Sequence, residues 1–595
     1  MRVLKRLYQF IFKYPRNFIV YLVLFTVGIV MSNTQPFLVK WVTAAVQTGS
    51  FDQAFWILVW FGIALVIGNC IVALSYYIGD QGMTRTSIDL QGSILKHLHD
   101  LDFAYHTNKS SGKLIGIMRR GDEAYFGFYH LINREVYATV LVFLMMLGTF
   151  AMLRSSYMVF GILVTIISVL VSLFLVKLNI KYRKKFSETD DEVSGVRVDN
   201  LINFDTVKYF AQEAYEQKRF GTLLTKWYDD LLRYFQTFRY FDIIIGNFSL
   251  LALIAVMVLA VMDVQSHALS LPDFLLVSSF SLFLFPRLVN LLFILRELAK
   301  RYDDLERYLG LLDEKIKVID PEHAEEVKNL RGSVQFNHVS FSYHANEDVL
   351  SDFSLEIKPG ESVALVGYSG AGKTTITKLM MRFFDPTGGN ITIDDVDITH
   401  MKKSYLRSLV GIVPQDPIMF NNTIAFNVRY ARPEASDAEV DHVLKLAKLD
   451  DFIKKLPEED KTMVGERGIK LSGGQRQRLA IARLLLEQPK IILFDEATSS
   501  LDSESERSIQ HAFWSIAKDP KNPRTSIIIA HRLSTIMRAD RIVVLDKGKI
   551  AEIGTHESLV KKEDGIYQKL WQLQQDGFIG EEKGENLQED NNPVE

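Results

Sequence analysis

Apolar residues are spread unevenly along this chain. Before about residue 300 they gather into six long runs: Phe18–Val39, Phe55–Ile78, Val136–Leu153, Tyr157–Val176, Ile243–Met262 and Phe274–Leu295. Each run holds about 20 residues, and at ~1.5 Å per residue a helix of that length spans a ~30 Å hydrocarbon layer. Helices buried in a soluble domain usually keep a polar face, and these runs do not. The pattern therefore predicts six transmembrane helices. Beyond residue 330 the apolar stretches shorten and alternate with helical periodicity, as in an α/β domain.

Basic residues set the orientation. Arg2, Lys5, Arg6, Lys13 and Arg16 precede the first run, six Lys or Arg lie in 79–133, and twelve lie in 177–242. The connection 263–273 has none, and the other short connections have one each. Positive charge favours the cytoplasmic side, so both termini and both long loops are expected inside. Those loops are polar and rich in helix formers, which predicts helices running on from the membrane into the cytoplasm. The first run is longer than the apolar stretch of a signal peptide and lacks a clean small-residue cleavage site, so it is read as a span. The domain boundaries that follow are a transmembrane domain over 1–313, a linker over 314–330, an α/β domain over 331–579 and an acidic tail over 580–595 whose composition predicts disorder.

Composition adds little until it is divided between these halves. The chain has 595 residues, 48% hydrophobic and 23% charged, with a net charge of −3. Balanced charge (68 basic, 71 acidic) argues against a nucleic-acid partner. The single cysteine, Cys70, rules out an intrachain disulfide.

The chemistry lies in the second half. The apolar strand 362–367 runs into Gly367-Tyr368-Ser369-Gly370-Ala371-Gly372-Lys373-Thr374, and a helical pattern follows over 375–383. This is the phosphate-binding G-x-x-x-x-G-K-[ST] loop in its required strand–loop–helix setting. Backbone N–H groups wrap the phosphates of ATP, Lys373 reaches the terminal ones and the Thr374 hydroxyl suits Mg²⁺. A second apolar strand, Ile491–Phe494, ends in Asp495 and Glu496. Asp495 is the expected Mg²⁺-side carboxylate, and Glu496 is placed to polarise an attacking water.

Between these two motifs stands Leu471-Ser472-Gly473-Gly474-Gln475, at the head of an amphipathic helix. Here the chain resembles the nucleotide-binding domain of ABC transporters over about 331–575. The resemblance also takes in Tyr343, Gln415, Glu466, Asp502 and His531. It implies that Tyr343 stacks on adenine, and that Thr375 belongs to the nucleotide loop. Gln415 would serve the Mg²⁺–water region and link it to the membrane part. Ser472, Gly473, Gly474 and Gln475 would face ATP held by a second domain. Asp502 would communicate between sites, and His531 would bind the γ-phosphate beside Glu496.

Only one phosphate loop and one signature occur, so the resemblance implies a second subunit. The intact motifs favour a homodimer, with a heterodimer as the alternative. Six spans followed by one ATPase resemble an exporter-type half-transporter, whose coupling helices would be the loop tips at about 102–115 and 204–215. Val207–Phe210 with Glu213 is similar to the mitochondrial-type exporters associated with glutathione compounds. The expected fold is thus an α-helical membrane domain of six transmembrane helices with long cytoplasmic extensions, plus an α/β P-loop ATPase domain with a helical signature subdomain. The expected function is ATP-driven export or flipping of an amphipathic small molecule, lipid or conjugate. An exporter-shaped importer and an ATP-gated channel are the alternatives, and a bacterial inner membrane is the expected location. Arg287 and Asn290 in the sixth run, Asn247 in the fifth, and Asn33 with Gln35 in the first are the polar candidates for a cargo cavity in the bilayer.

Overall fold

The computed structural model describes residues 2–109, 111–344, 347–495, 503–520, 522–529 and 533–575. These divide into two compact units: 1–101 with 109–315, and 102–108 with 316–595.

The first unit is helical. Helices α1 (Arg2–Ile11), α2 (Pro15–Ser32), α3 (Gln35–Gln47) and α4 (Phe51–Asp100) open it, and α5 (Phe103–Asn108) belongs to the other unit. Then come α6 (Ser111–His130), α7 (Tyr137–Leu153), α8 (Ser155–Ile202), α9 (Phe204–Tyr209), α10 (Glu213–Gln265) and α11 (Leu271–Gly310). Among the described residues, five helical stretches have the length and apolar character to cross a membrane. The sixth expected run lies within α11, part of whose side chains fall outside the described set.

Two details depart from a set of uninterrupted spans. The first run breaks after Ser32, because Pro36 in the first turn of α3 cannot continue the helix from α2. The third begins earlier than Val136: α6 runs through a π-helical turn, Leu131–Val136, directly into α7. Asn133, Arg134 and Glu135 mask that continuity in the sequence.

Packing in this unit uses narrow stripes. On α4 the buried positions Gly68, Ser75, Gly79, Met83, Leu90, Ile94 and Leu98 follow helical spacing, while Trp56, Val66 and Tyr77 on the other faces are exposed. Where α2 crosses α4, a Cβ at Gly28 would sit 2.7 Å from Val72 Cγ2. Only glycine lets the two backbones approach this closely. Helices α8 and α10, 48 and 53 residues long, would measure ~70–80 Å at the helical rise. Beyond the ends of the apolar runs they are joined by polar contacts: Asn179 Nδ2 donates to Thr237 Oγ1 at 2.7 Å, and Trp227 Nε1 donates to Asp190 Oδ1 at 2.8 Å.

The second unit has two sheets. Strands β1 (Val334–Ser342), β2 (Asp348–Ile357), β4 (Gly388–Ile393) and β5 (Val396–Asp397) form an antiparallel sheet in the order β2-β1-β4-β5. The other sheet runs β10-β9-β3-β8-β7-β6, with β3 (Ser362–Gly367), β6 (Val410–Val413), β7 (Ile491–Asp495), β8 (Thr525–Ile529), β9 (Arg541–Asp546) and β10 (Lys549–Gly554). All its pairings are parallel except β9–β10. Helix α12 (Lys373–Met380) follows β3, and α13 (Lys403–Leu409) precedes β6. Helices α14 (Ile424–Arg429), α15 (Asp437–Leu446), α16 (Asp450–Ile453) and α17 (Gly473–Glu487) build a helical subdomain, and α18 (Ser503–Ala517) lies beyond β7.

The parallel strands are mainly apolar because both faces are covered. Val363 and Leu365 enter the core shared with the antiparallel sheet, whereas Ala364 and Val366 enter the core beneath α17 and α18. The same alternation holds along β7, with Ile491 and Leu493 on one side and Ile492 and Phe494 on the other. This sheet carries the nucleotide loop at the carboxyl end of β3 and Asp495 at the carboxyl end of β7, two strands away on the same edge.

Candidate nucleotide site and membrane cavity

The loop Gly367–Gly372 joins a fully buried strand to a helix. Helix α12 starts at Lys373 rather than Thr375, because Gly372 takes a left-handed conformation, φ 97°. A Cβ there would meet Leu350 Cδ2 at 2.9 Å and Val349 O at 3.0 Å. Tyr368, Ser369 and Gly370 form the exposed crest, while Ala371 is buried at its base. The loop leaves its backbone turned toward the start of a helix, an arrangement made for anionic phosphates.

Lys373 is buried, and its Nζ donates to Gly367 O at 2.9 Å and Tyr368 O at 3.0 Å. The ammonium is thus held across the mouth of the loop. Burial pushes its pKa below the usual lysine range, and Asp495 opposes that shift. Asp495 is buried too: desolvation raises its carboxyl above the ordinary aspartate value, against the pull of Lys373 and Lys378. Thr374 is exposed at the same helix start, whereas Thr375 is buried and hydrogen-bonds Tyr343, 3.2 Å between hydroxyl oxygens. Tyr343 is held edge-on by Phe341 and Phe384 at 4.9 and 5.3 Å between ring centroids, with Lys378 Nζ 5.3 Å from its ring. The structure therefore brings Tyr343, the loop residues, Lys373 and Thr375 together.

Gln415 follows β6 on an exposed stretch, and its carbonyl accepts from Gln477 Nε2 at 3.0 Å. Arg483 fixes the next turn by donating to Ile418 O, Asn427 O and Asn427 Oδ1. Gln477, Arg483 and Asn427 carry no motif that the sequence would flag. In the signature, Ser472 and Gln475 bond to each other. The Ser472 hydroxyl accepts from Gln475 N, and Gln475 Oε1 accepts from Ser472 N at 2.8 Å, which is a reciprocal capping box. Gly473 and Gly474 begin α17, with Gly474 buried. Glu496, Asp502 and His531 lie outside the described residues.

A further element of this unit is α5, from the 102–115 loop tip. Phe103 stacks on Phe383, centroids 4.7 Å apart and planes at 10°. The Asp102 carboxylate accepts from Lys317 N at 2.6 Å and Val318 N at 2.9 Å. Phe383 directly follows the turn that ends α12. A chain of contacts thus leads from the phosphate loop to a segment flanked on both sides by membrane-unit helices.

In the membrane unit the polar candidates scatter. Arg287 on α11 is half-buried, with its guanidinium 4.4 Å from the Phe283 ring, and Glu135 is the acidic group acting on it electrostatically. Asn290 is exposed on the same helix. Asn33 is buried and donates to Ile29 O at 2.7 Å, closing the end of α2. Asn247 donates to Ile243 O at 2.8 Å in its own helix, and Gln35 is exposed at the start of α3. These local bonds account for Asn33 and Asn247 without a cargo. The sequence reading overlooked the π-helical turn: Arg134 pairs with Asp80 and lies 4.1 Å over the Tyr76 ring, while Tyr21 donates to Asn133 O at 2.6 Å. Three consecutive polar residues at the edge of an apolar run were its signal.

A phosphate loop and acidic strand end on a parallel sheet, with a capped signature helix and a preceding helical membrane unit, define an ATP-binding cassette joined to a membrane region. Family models agree: an ABC transporter transmembrane region matches residues 18–288, and an ABC transporter model matches 350–499. The chain is 32% identical over 576 residues to heavy metal tolerance factor 1 of Caenorhabditis elegans, covering 95% of this chain and 70% of that one. It is 36% identical over 507 residues to ATP-binding cassette sub-family B member 6 of Mus musculus, covering 84% of this chain and 58% of that protein's length. A solved bacterial Atm1-family ABC exporter with ATP bound matches with a TM-score of 0.84 and 33% identity, over 94% of this chain and 98% of the other. The chain belongs to the ABC transporter family, as a multi-pass membrane half-transporter of exporter type with one ATP-binding domain.

Proposed function

We propose that two copies of this chain form an ATP-driven exporter in which each ATP lies between the phosphate loop of one copy and the signature of the other. One observation carries this reading: α17, like α12, begins on glycine-rich backbone at a helix N-terminus, the end that attracts anions, and the chain supplies one start of each kind. Binding of two ATP molecules would draw the cassettes together, because ATP held on both sides favours the closed state by its differential affinity. Closure would act on the membrane helices through α5. The exposed aromatic tip at α9, with Tyr209 82% and Phe210 71% exposed, suits cover by the second copy. Glu496 would polarise the attacking water, His531 would hold the γ-phosphate, Asp502 would link the two sites and Tyr343 would receive adenine.

Mg²⁺ fits the residues present. A hydroxyl (Thr374), one buried carboxylate (Asp495) and an amide (Gln415) suit a metal that takes its other ligands from phosphate and water. The ion would neutralise phosphate charge. Among the described residues no cluster of three His, Cys, Asp or Glu offers a different metal site.

For cargo, Arg287 is the cation that an anionic or amphipathic molecule would meet, with Asn290 beside it and Glu135 opposing. Basic inner loops support a cassette on the cytoplasmic side of its membrane. The test mixes chains bearing Lys373→Ala with chains bearing Ser472→Ala. Each variant alone should occlude no nucleotide, whereas mixed dimers should regain one per dimer, since one composite site stays intact. No recovery on mixing would overturn the shared site.

A further inference from the structure

Three of the six tryptophans lie together where α3 meets α4. Trp41 stands on α3, and its ring is 5.5 Å from that of Phe61 at 70°. Gln53, Trp56 and Trp60 fall on one face of α4, at the i, i+3, i+7 spacing that shares a helical stripe. With Asp52 they line a cleft of about 550 Å³. The indoles are open to the surroundings: Trp41 is 47%, Trp56 57% and Trp60 65% exposed. Asp52 is exposed, and among the described residues no base pairs with it; the nearby Lys40 is committed to Asp273 at 2.6 Å.

We propose that this cleft binds the quaternary ammonium headgroup of a choline-type phospholipid. Charge and shape both favour that occupant. Indole faces attract cations most strongly of the aromatic side chains, and Asp52 supplies the one formal negative charge. The walls offer few acceptors, so a primary ammonium would give up water hydrogen bonds that they cannot replace, whereas a trimethylated one has none to lose. Depth selects a lipid over a soluble cation. Asp52 precedes the apolar run of α4, and Trp60 lies about 12 Å farther along the helix at its rise, so the carboxylate sits at headgroup level and the rings descend toward the acyl chains. The indole N–H groups of Trp56 and Trp60 are then placed to donate to phosphate or ester oxygens. An aromatic belt without a site would show no preference between headgroups.

The experiment uses the full-length transporter in nanodiscs containing a small fraction of phosphatidylcholine labelled with a nitroxide on its choline. Tryptophan quenching should exceed that expected from random lipid contact. Unlabelled phosphatidylcholine should relieve it at least fivefold more effectively than phosphatidylglycerol, with phosphatidylethanolamine between them. Asp52→Asn should weaken the preference at least fivefold and Asp52→Glu should retain it, with basal ATP turnover unchanged in both. Equal relief by choline and glycerol lipids, or an unaltered preference in Asp52→Asn, would overturn the site. Relief by millimolar aqueous tetramethylammonium would overturn the lipid as its occupant.

Discussion

Phe494 and Phe174 are the same side chain in opposite surroundings. Phe494 in β7 is 2% exposed between a sheet and two helices, whereas Phe174 on α8 is 70% exposed. The contrast extends to their units. In the cassette, apolar residues go inward because water surrounds it. In the membrane unit many of the largest point outward, while Ser75, Thr86, Ser172, Asn179 and Thr237 are buried. Each of these five bonds to a helix carbonyl or across helices, as Ser172 does to Ser168 O and Asn179 to Thr237. Lipid supplies no hydrogen bonds, so polar groups must find them inside. One unit concentrates its chemistry at a strand end; the other distributes polar contacts along helices.

The largest test of that contrast is chemical. Glu496→Gln should lower steady ATP turnover by about 10²–10⁴-fold, the usual worth of a positioned general base. Arg287→Ala should leave basal turnover intact and remove only its stimulation by an anionic cargo. A normal rate in Glu496→Gln would refute the assigned base.

Packing separates the units next. Phe494→Ala should cost about 3–5 kcal/mol by emptying a buried site. Phe174→Leu should change stability by less than about 0.5 kcal/mol. Thermal unfolding of the full chain in nanodiscs measures both, and equal effects would remove the distinction drawn from exposure. Gly372→Ala combines packing with backbone strain. Forcing a side chain into the left-handed region costs about 1–3 kcal/mol, so ATP affinity measured by calorimetry should fall about 10- to 100-fold.

Two smaller effects probe the links around the site. Burial raises the Asp495 pKa, so its carboxylate gains a proton at a higher pH than an ordinary aspartate as pH falls. Mg²⁺ affinity should therefore decline with falling pH and be restored as pH rises through that raised value; a decline centred on the ordinary value would contradict the burial. Phe103→Ala removes a stacked pair worth about 0.5–1.5 kcal/mol beyond its buried area. Cargo-stimulated turnover should drop a fewfold with basal turnover kept, and parallel losses in both would argue against a coupling role.

The nucleotide motifs were legible because each is local. Gly372, Lys373 and Thr374 owe their positions to a strand–turn–helix of about a dozen residues, and Ser472 with Gln475 to a single helical turn. That α8 and α10 run on past their apolar stretches was legible as well, since those stretches continue into polar helix formers. The π-helical turn was not, because Arg134 finds Asp80 and Tyr21 finds Asn133 only after α2, α4 and α6 have packed. Asn33 is ambiguous in the sequence because an isolated polar residue in an apolar run signals a cavity and a helix end equally well.

The sequence by itself determined the order of parts, five of the membrane-crossing stretches, the phosphate loop and the family, because these depend on composition and on spacing between near neighbours. Tertiary structure decided which unit α5 joins, how Gln477 and Arg483 brace the Gln415 turn, and that Trp41 meets Trp56 and Trp60 around Asp52. Those contacts join residues distant along the chain or on separate helices, and their geometry exists only once whole helices and sheets have packed.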